Sequence, residues 1–273
     1  MGIVMSVRFY VVGQIDATGS GSPHHEELRE LGASKFPLFR DLGLDGVRDV
    51  FCRWLGARLE SLGLGEDWAA TLEFFPEACV HVLYYYYGDE FGDVEGELRF
   101  LFSGGRVYWI PGEDLATFIS IALGFAEERV KGVEPSDWGF TGKSELMVKI
   151  LEERKEPFRL LKAGDADALR DFLGAEVSKS GSLWRIKREV FPRVSVELMY
   201  DEDAGRLDAS YSGENASKVG RYRLELLATL TINHAIRYIA VKNQGKTTLP
   251  HICYKMFSRM FTKEKGWSHR EAP

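Results

Sequence analysis

Residues 68 to 84, Trp68-Ala-Ala-Thr-Leu-Glu73-Phe-Phe75-Pro76-Glu-Ala-Cys79-Val80-His-Val82-Leu83-Tyr84, align without a gap on residues 184 to 200, Trp184-Arg-Ile-Lys-Arg-Glu189-Val-Phe191-Pro192-Arg-Val-Ser195-Val196-Glu-Leu198-Met199-Tyr200, at a constant offset of 116. Three shorter matches keep the same order. Phe39-Arg40 pairs with Phe158-Arg159 at offset 119, Trp54-Leu55-Gly56-Ala57 with Phe172-Leu173-Gly174-Ala175 at 118, and Leu115-Ala116-Thr117 with Leu227-Ala228-Thr229 at 112. Offsets that drift by a few residues put the insertions in loops, where length changes are tolerated. A duplicated unit therefore organises the chain, and recognising it comes before any assignment of elements.

In the first copy, Asp45 to Leu62 carries Val47, Val50, Phe51, Trp54, Leu55, Leu59 and Leu62 near a 3.6-residue period, the pattern of an amphipathic helix ended by Gly63 and Gly65. Four runs rich in aromatic and branched residues come next: Ala70 to Phe75, Cys79 to Tyr87, Glu97 to Phe102 and Arg106 to Ile110. They read as strands, with Ser103-Gly104-Gly105 as the last hairpin connection. Pro111-Gly112-Glu113-Asp114 opens a helix to about Val130, its acids suited to the helix dipole. The second copy repeats the order: a helix near Ala166 to Leu173, strands near Trp184 to Val190, Val194 to Tyr200 and Arg206 to Tyr211, and a helix from about Tyr222 to Val241. Outside the copies, Val7 to Ile15 reads as a strand, Pro23 to Leu31 as a short helix, and Leu249 to Thr262 as a last helix.

The expected fold class is α+β, a tandem duplication of a helix, antiparallel sheet and helix unit with pseudo-twofold symmetry. The expected organisation is residues 1–38 (strand and short helix), 39–131 (first repeat), 132–157 (connecting helix), 158–241 (second repeat) and 242–273 (basic helix and tail).

Composition narrows the class. With 273 residues, 45% of them hydrophobic, the chain can bury a full core, which excludes disordered and disulfide-scaffold classes. No apolar run is long enough for a membrane span and no signal peptide is visible, so a cytoplasmic protein without membrane association is expected. Cys52, Cys79 and Cys253 form no C-x-x-C pair, so reduced thiols are expected. Asn215, Asn233, Asn243, Gln14 and Gln244 are the only side-chain amides, a depletion expected of a thermophile. Residues 242 to 273 carry a formal charge of +5 against −11 for the rest.

The run Phe75-Pro76, then Asp89-Glu90-Phe91, Leu101-Phe102-Ser103 and Glu113-Asp114-Leu115 resembles an uncharacterised domain family of anaerobic and archaeal prokaryotes. The resemblance covers the repeat unit and implies no catalytic residue. The order of elements is also similar in outline to the TATA-binding protein, although an acidic body departs from the basic surface that DNA demands.

Candidate chemical motifs each have a structural alternative. Ala240-Val-Lys-Asn-Gln-Gly245-Lys246-Thr247 follows phosphate-loop spacing with Ala at the first glycine, but a helix rather than a strand is expected before it. His24-His25-Glu26-Glu27 lacks the second histidine of H-E-x-x-H, and Ser22 with Pro23 explains it as a helix start. His251-x-Cys253 supplies two ligands where zinc needs four. Tyr85 and Tyr87 can offer stacking faces to a ligand or fill a two-sided core strand. Asp89, Glu90, Asp201 and Glu202 stand at equivalent turns and can form an acidic pair of sites or solvated tips. In the last helix Ile252, Met256 and Met260 make an apolar row, flanked by Phe257 and Phe261, beside the basic row Lys255, Arg259 and Lys263.

The expected function is a noncatalytic binding or scaffold module with no cofactor, holding a small ligand or protein partner in a groove between the repeats, with Tyr85, Tyr87, Asp89, Glu90, Asp201 and Glu202 as groove residues. The alternatives are a nucleotide- or phosphate-dependent enzyme using Lys246, and nucleic-acid binding through Lys246, Lys255, Arg259 and Lys263.

Overall fold

The computed structural model describes residues 7–16, 21–88, 95–139 and 142–257, and divides into two compact units, Met1–Glu134 and Pro135–Pro273. The first contains α1 (Val12–Ile15), α2 (Pro23–Arg40), α3 (Gly43–Arg48), strands β1 (Arg58–Glu60), β2 (Trp68–Phe75), β3 (Ala78–Tyr86) and β4 (Gly96–Ser103), and α4 (Gly112–Lys131). The second contains α5 (Glu145–Arg154), α6 (Ala166–Leu173), β5 (Glu176–Ser180), β6 (Leu183–Phe191), β7 (Val194–Asp201), β8 (Arg206–Ser212), α7 (Ala216–Val219), α8 (Arg221–Asn243) and α9 (His251–Phe257). The fold is α+β, with a four-stranded antiparallel meander in each unit, ordered β1-β2-β3-β4 and β5-β6-β7-β8.

Backbone details reproduce the duplication. Trp68 pairs with Tyr84 and Trp184 with Tyr200; Arg58 pairs with Thr71 and Glu176 with Lys187. The β2–β3 and β6–β7 hairpins each carry a register shift just before the turn, at Glu73/Phe75 and Glu189/Phe191. The turns themselves, Pro76-Glu77 and Pro192-Arg193, put a non-glycine residue at φ 61° each, a conformation few such residues adopt. Packed on the two turns are Gly104 and Gly213, where a Cβ would lie 2.1 Å from the Glu77 carbonyl oxygen and 2.0 Å from that of Arg193. Only glycine fits either place.

The long helices are capped alike from a distance. Asp16 accepts from the Gly112 amide at 3.0 Å, and Asp137 from the Arg221 and Tyr222 amides at 3.0 and 2.8 Å. Each aspartate satisfies first-turn amides and sits at the positive end of the helix dipole. An aspartate from the segment before each sheet thus has the same task in both units. The capping sites and the paired glycines fix the offset in this region at 109. The Leu115-Ala116-Thr117 match at 112 is therefore one helical turn out of register.

Several expected elements differ. Only Tyr10 of the expected Val7 to Ile15 strand forms a bridge, to Phe102. The chain then turns into α1, which buries Val12 and Ile15 on one side while the Gln14 side chain accepts from the Val11 amide. The short helix at Pro23 runs on to Arg40, because Leu28, Gly32, Phe36 and Phe39 keep one buried face and Pro37 falls in its last turn. The helix expected from Asp45 to Leu62 ends at Leu55 after a π-helical stretch, Asp49–Trp54. Gly56 at φ 71° breaks it, and the Ala57 amide bonds back to Phe51. Beyond this break lies β1. Its counterpart β5 was not expected, because Glu176-Val-Ser-Lys-Ser180 is polar and half-exposed. Arg106 to Ile110, expected as a strand, holds a 3-10 turn, Val107–Trp109, because the backbone reverses at Gly104.

Each sheet packs one face on helices. Tyr84 stacks on Phe36 at 5.2 Å and Phe74 on Phe118 at 4.2 Å in unit 1; Phe158 lies 5.6 Å from Tyr200 in unit 2. Phe75 and Phe191 occupy equivalent, fully buried positions.

Candidate functional site

Pro23 starts α2 at the first helical position, where a missing N–H leaves nothing unpaired. His25, Leu28, Arg29 and Gly32 then recur at helical spacing on one face. Gly32 lies so close to β4 that a Cβ would approach the Leu98 carbonyl oxygen to 2.7 Å, which brings this face of α2 alongside the sheet edge. At the other end of the edge, Tyr10 donates to the Phe102 carbonyl at 2.8 Å and accepts from its amide at 2.9 Å. Since Phe102 turns both backbone groups outward, Phe100, two residues away, does the same. The antiparallel register would set Val12 opposite Phe100, yet at Val12 the chain enters α1.

A cleft of 230 Å³ results, lined by Val11, Val12, His25, Leu28 and Arg29 on one side and by residues 97–101 on the other. Five consecutive strand residues point side chains to both faces, so what they share toward the cleft is their backbone edge. Val12, Leu28, Leu98 and Phe100 are buried and make its depth apolar. The rim is charge-balanced: Arg29 pairs with Glu26 at 2.7 Å, and Arg99 pairs with Glu97 while its guanidinium lies 4.7 Å from the Tyr85 ring centre. Burial opposes ionisation of Glu97, but hydrogen bonds from Arg99 and Tyr87 outweigh it and hold the carboxyl below its ordinary range. A neutral, partly apolar ligand with amide groups suits these surroundings.

Tyr85 and Tyr87 stand next to this cleft, on the outer face of the sheet, with ring centres 6.4 Å apart. Tyr85 is buried against Ala69 and Leu83, and the Tyr87 hydroxyl donates to Glu97. In unit 2, Asp201 caps its own hairpin turn, accepting from the amides of Asp203 and Ala204 at 3.0 and 3.2 Å. Glu202 accepts from Lys179 and, at 2.8 Å, from the Trp184 indole. Both pairs are engaged within their own units. Asp89, Glu90, Arg259 and Lys263 lie outside the described residues. Lys246 is exposed in the turn after the C-terminus of α8, and Lys255 is exposed on α9, whose Cys253 and Phe257 are buried.

A polar cluster without any sequence motif lies on β2, β3 and β4. His81 meets the Thr71 hydroxyl through Nδ1 and the Ser103 hydroxyl through Nε2, both at 2.7 Å, beneath the Phe9 ring at 5.1 Å. Burial pushes its pKa down to about 4, so the ring is neutral at pH 7 and both nitrogens are occupied. Cys79 beside it has a thiol pKa raised by burial and by Glu73, which keeps it protonated. Among the described residues no group of three or more His, Cys, Asp or Glu side chains is placed to hold a metal, and no helix is long and apolar enough to cross a membrane.

The cleft residues carried one sequence signal, the helical spacing of His25, Leu28, Arg29 and Gly32 behind Ser22-Pro23; the strand edge opposite them carried none. Comparison with family profiles, curated proteins and solved structures finds no match to this chain.

Proposed function

We propose that the protein is a noncatalytic binding module whose ligand enters the cleft between α2 and the edge of β4. One observation supports this reading above the rest: apolar walls, a balanced rim and outward backbone groups converge on one cavity of 230 Å³. Of the cleft's own titratable groups, Glu97 is held by Arg99 and Tyr87, and the His81, Ser103 and Thr71 cluster on the outer face of the sheet is committed to itself. Lys246, the residue on which a nucleotide enzyme would depend, follows a helix C-terminus, where carbonyls rather than amides face outward. The three free cysteines agree with a cytoplasmic location, and the scarcity of amide side chains with a thermophilic source.

Titration with 8-anilinonaphthalene-1-sulfonate, followed through backbone amide shifts, tests the reading. Saturable changes confined to residues 11–12, 25–29 and 97–101 are expected; changes scattered over the chain, or none, would sink it.

A further inference from the structure

We infer that the ligand of this cleft is an extended peptide that joins β4 as an added antiparallel strand, its central residue opposite Phe100; the inference rests on the binding reading above. Phe100 presents an N–H and a C=O side by side along an edge. At the hydrogen-bonded positions of an antiparallel pair the two opposed residues exchange both bonds, and another backbone offers donor and acceptor at that spacing. The Leu98 carbonyl is already covered by Gly32, so Phe100 is the anchor.

The chain itself uses this edge in the same way one step further along. Tyr10 makes the two-bond exchange with Phe102, and a peptide opposite Phe100 would continue that pairing where Val12 leaves it. Edges of this kind recruit strands unless something covers them. In unit 2 the residue corresponding to Phe100 is Ala209, whose amide donates to the Asp208 carboxylate at 2.7 Å, and that carboxylate pairs at 2.5 Å with Lys143 of the segment leading into α5. The two units treat equivalent edges differently.

Chemistry of the surroundings sets the peptide class. Between the Leu98 carbonyl, covered by Gly32, and Phe102, held by Tyr10, the edge from Arg99 to Leu101 spans about 7 Å at a rise of about 3.3 Å per residue, room for three residues at most. Directly opposed side chains share a face, so the residue opposite Phe100 points toward the buried Leu28 and is apolar. Its neighbours point toward Arg99 and Leu101, beside an ion pair already balanced by Glu97. The sequence recognised is therefore polar-apolar-polar and without net charge.

The full chain, isotope-labelled, is titrated to about 1 mM with acetyl-Thr-Val-Thr-amide, with the same peptide N-methylated at valine, and with anilinonaphthalene sulfonate. Expected are saturable binding of the first peptide, Phe100 amide exchange slowed about tenfold or more, and about tenfold weaker binding of the methylated peptide, which lacks one donor. If the fluorophore occupies the cleft but the peptide does not bind, or if both peptides bind equally, strand addition is overturned and the binding reading stands. If no probe shifts the cleft residues, both are overturned.

Discussion

The two sheets share a backbone frame but not the character of their outer faces. In unit 1 that face carries Ala69, Thr71, His81, Leu83, Tyr85 and Ser103, all buried; at the equivalent places unit 2 has Arg185, Lys187, Glu197, Met199, Asp201 and Ser212, all partly or fully exposed. Burial is nearly continuous along β2 and β3, whereas it alternates along β6 and β7. Leu62 and Tyr87 pack on the unit 1 face, the Tyr85 hydroxyl reaches toward the Leu64 carbonyl, and Phe9 covers His81. Register, bulge and turn are thus set by the shared inner face and by the glycines, while the outer face is free to be covered or wet. A second buried face is also what places aromatic and apolar groups beside an open strand edge.

If the inner frame is common, its two anchors should respond alike. Phe75→Ala and Phe191→Ala are each expected to lower stability by about 3–5 kcal/mol in urea unfolding; a loss under about 1 kcal/mol at either would break the equivalence. The outer faces should respond unlike. Leu83→Ala is expected to cost about 2–4 kcal/mol, and Met199→Ala, at a half-exposed position, less than half of that. Equal losses would mean that the unit 1 face is not the better packed.

The outer faces also differ in how they titrate. His81 drops from its ordinary 6.5 to about 4 in the folded state, so between those values the unfolded chain holds more protons there. Stability then rises with pH across that window, and up to about 3 kcal/mol is lost as pH falls from 6.5 toward 4. Replacing His81 by Gln should flatten this limb of the stability curve; an unchanged limb would assign it elsewhere. The smallest expected effect tests the shared caps. Asp16→Ala and Asp137→Ala should each cost about 1–2 kcal/mol, the first also freeing His24 and Ser22, which meet Asp16 at 2.7 and 2.8 Å. Thermal unfolding in which only one of the two matters would show that the caps are not equivalent.

The duplication could be read from the chain because Trp68 to Tyr84 and Trp184 to Tyr200 preserve the residues that fix a hairpin: a proline turn, a core phenylalanine and an alternating strand. Of the long helices, α4 and α8 were legible nearly in full, whereas α2 is expected only to Leu31 and runs on to Arg40. Short edge strands were not legible. Leu59 fits a helical row as well as a strand, and Glu176-Val-Ser-Lys-Ser180 buries too little to leave a pattern. Val107-Tyr108-Trp109 has strand-like side chains, but the reversal at Gly104 is a backbone property that overrides them. The cleft was invisible for a further reason: it exists because the chain leaves the ladder at Val12 and because Gly32 lets a helix touch Leu98, both long-range events. Tyr85 and Tyr87 were noticed for their rings, yet they stand beside the cleft rather than in it.

The remote caps bear on how the protein emerges from the ribosome. Asp16 waits 96 residues for Gly112, and Asp137 waits 84 for Arg221, so neither unit can close until its last long helix has been made. Residues 135–273 then take roughly 7–28 s to translate at about 5–20 residues per second. During that time the first unit already holds every partner its own cap requires. Order of synthesis, rather than a difference in sequence, gives one copy of the repeat a head start in folding.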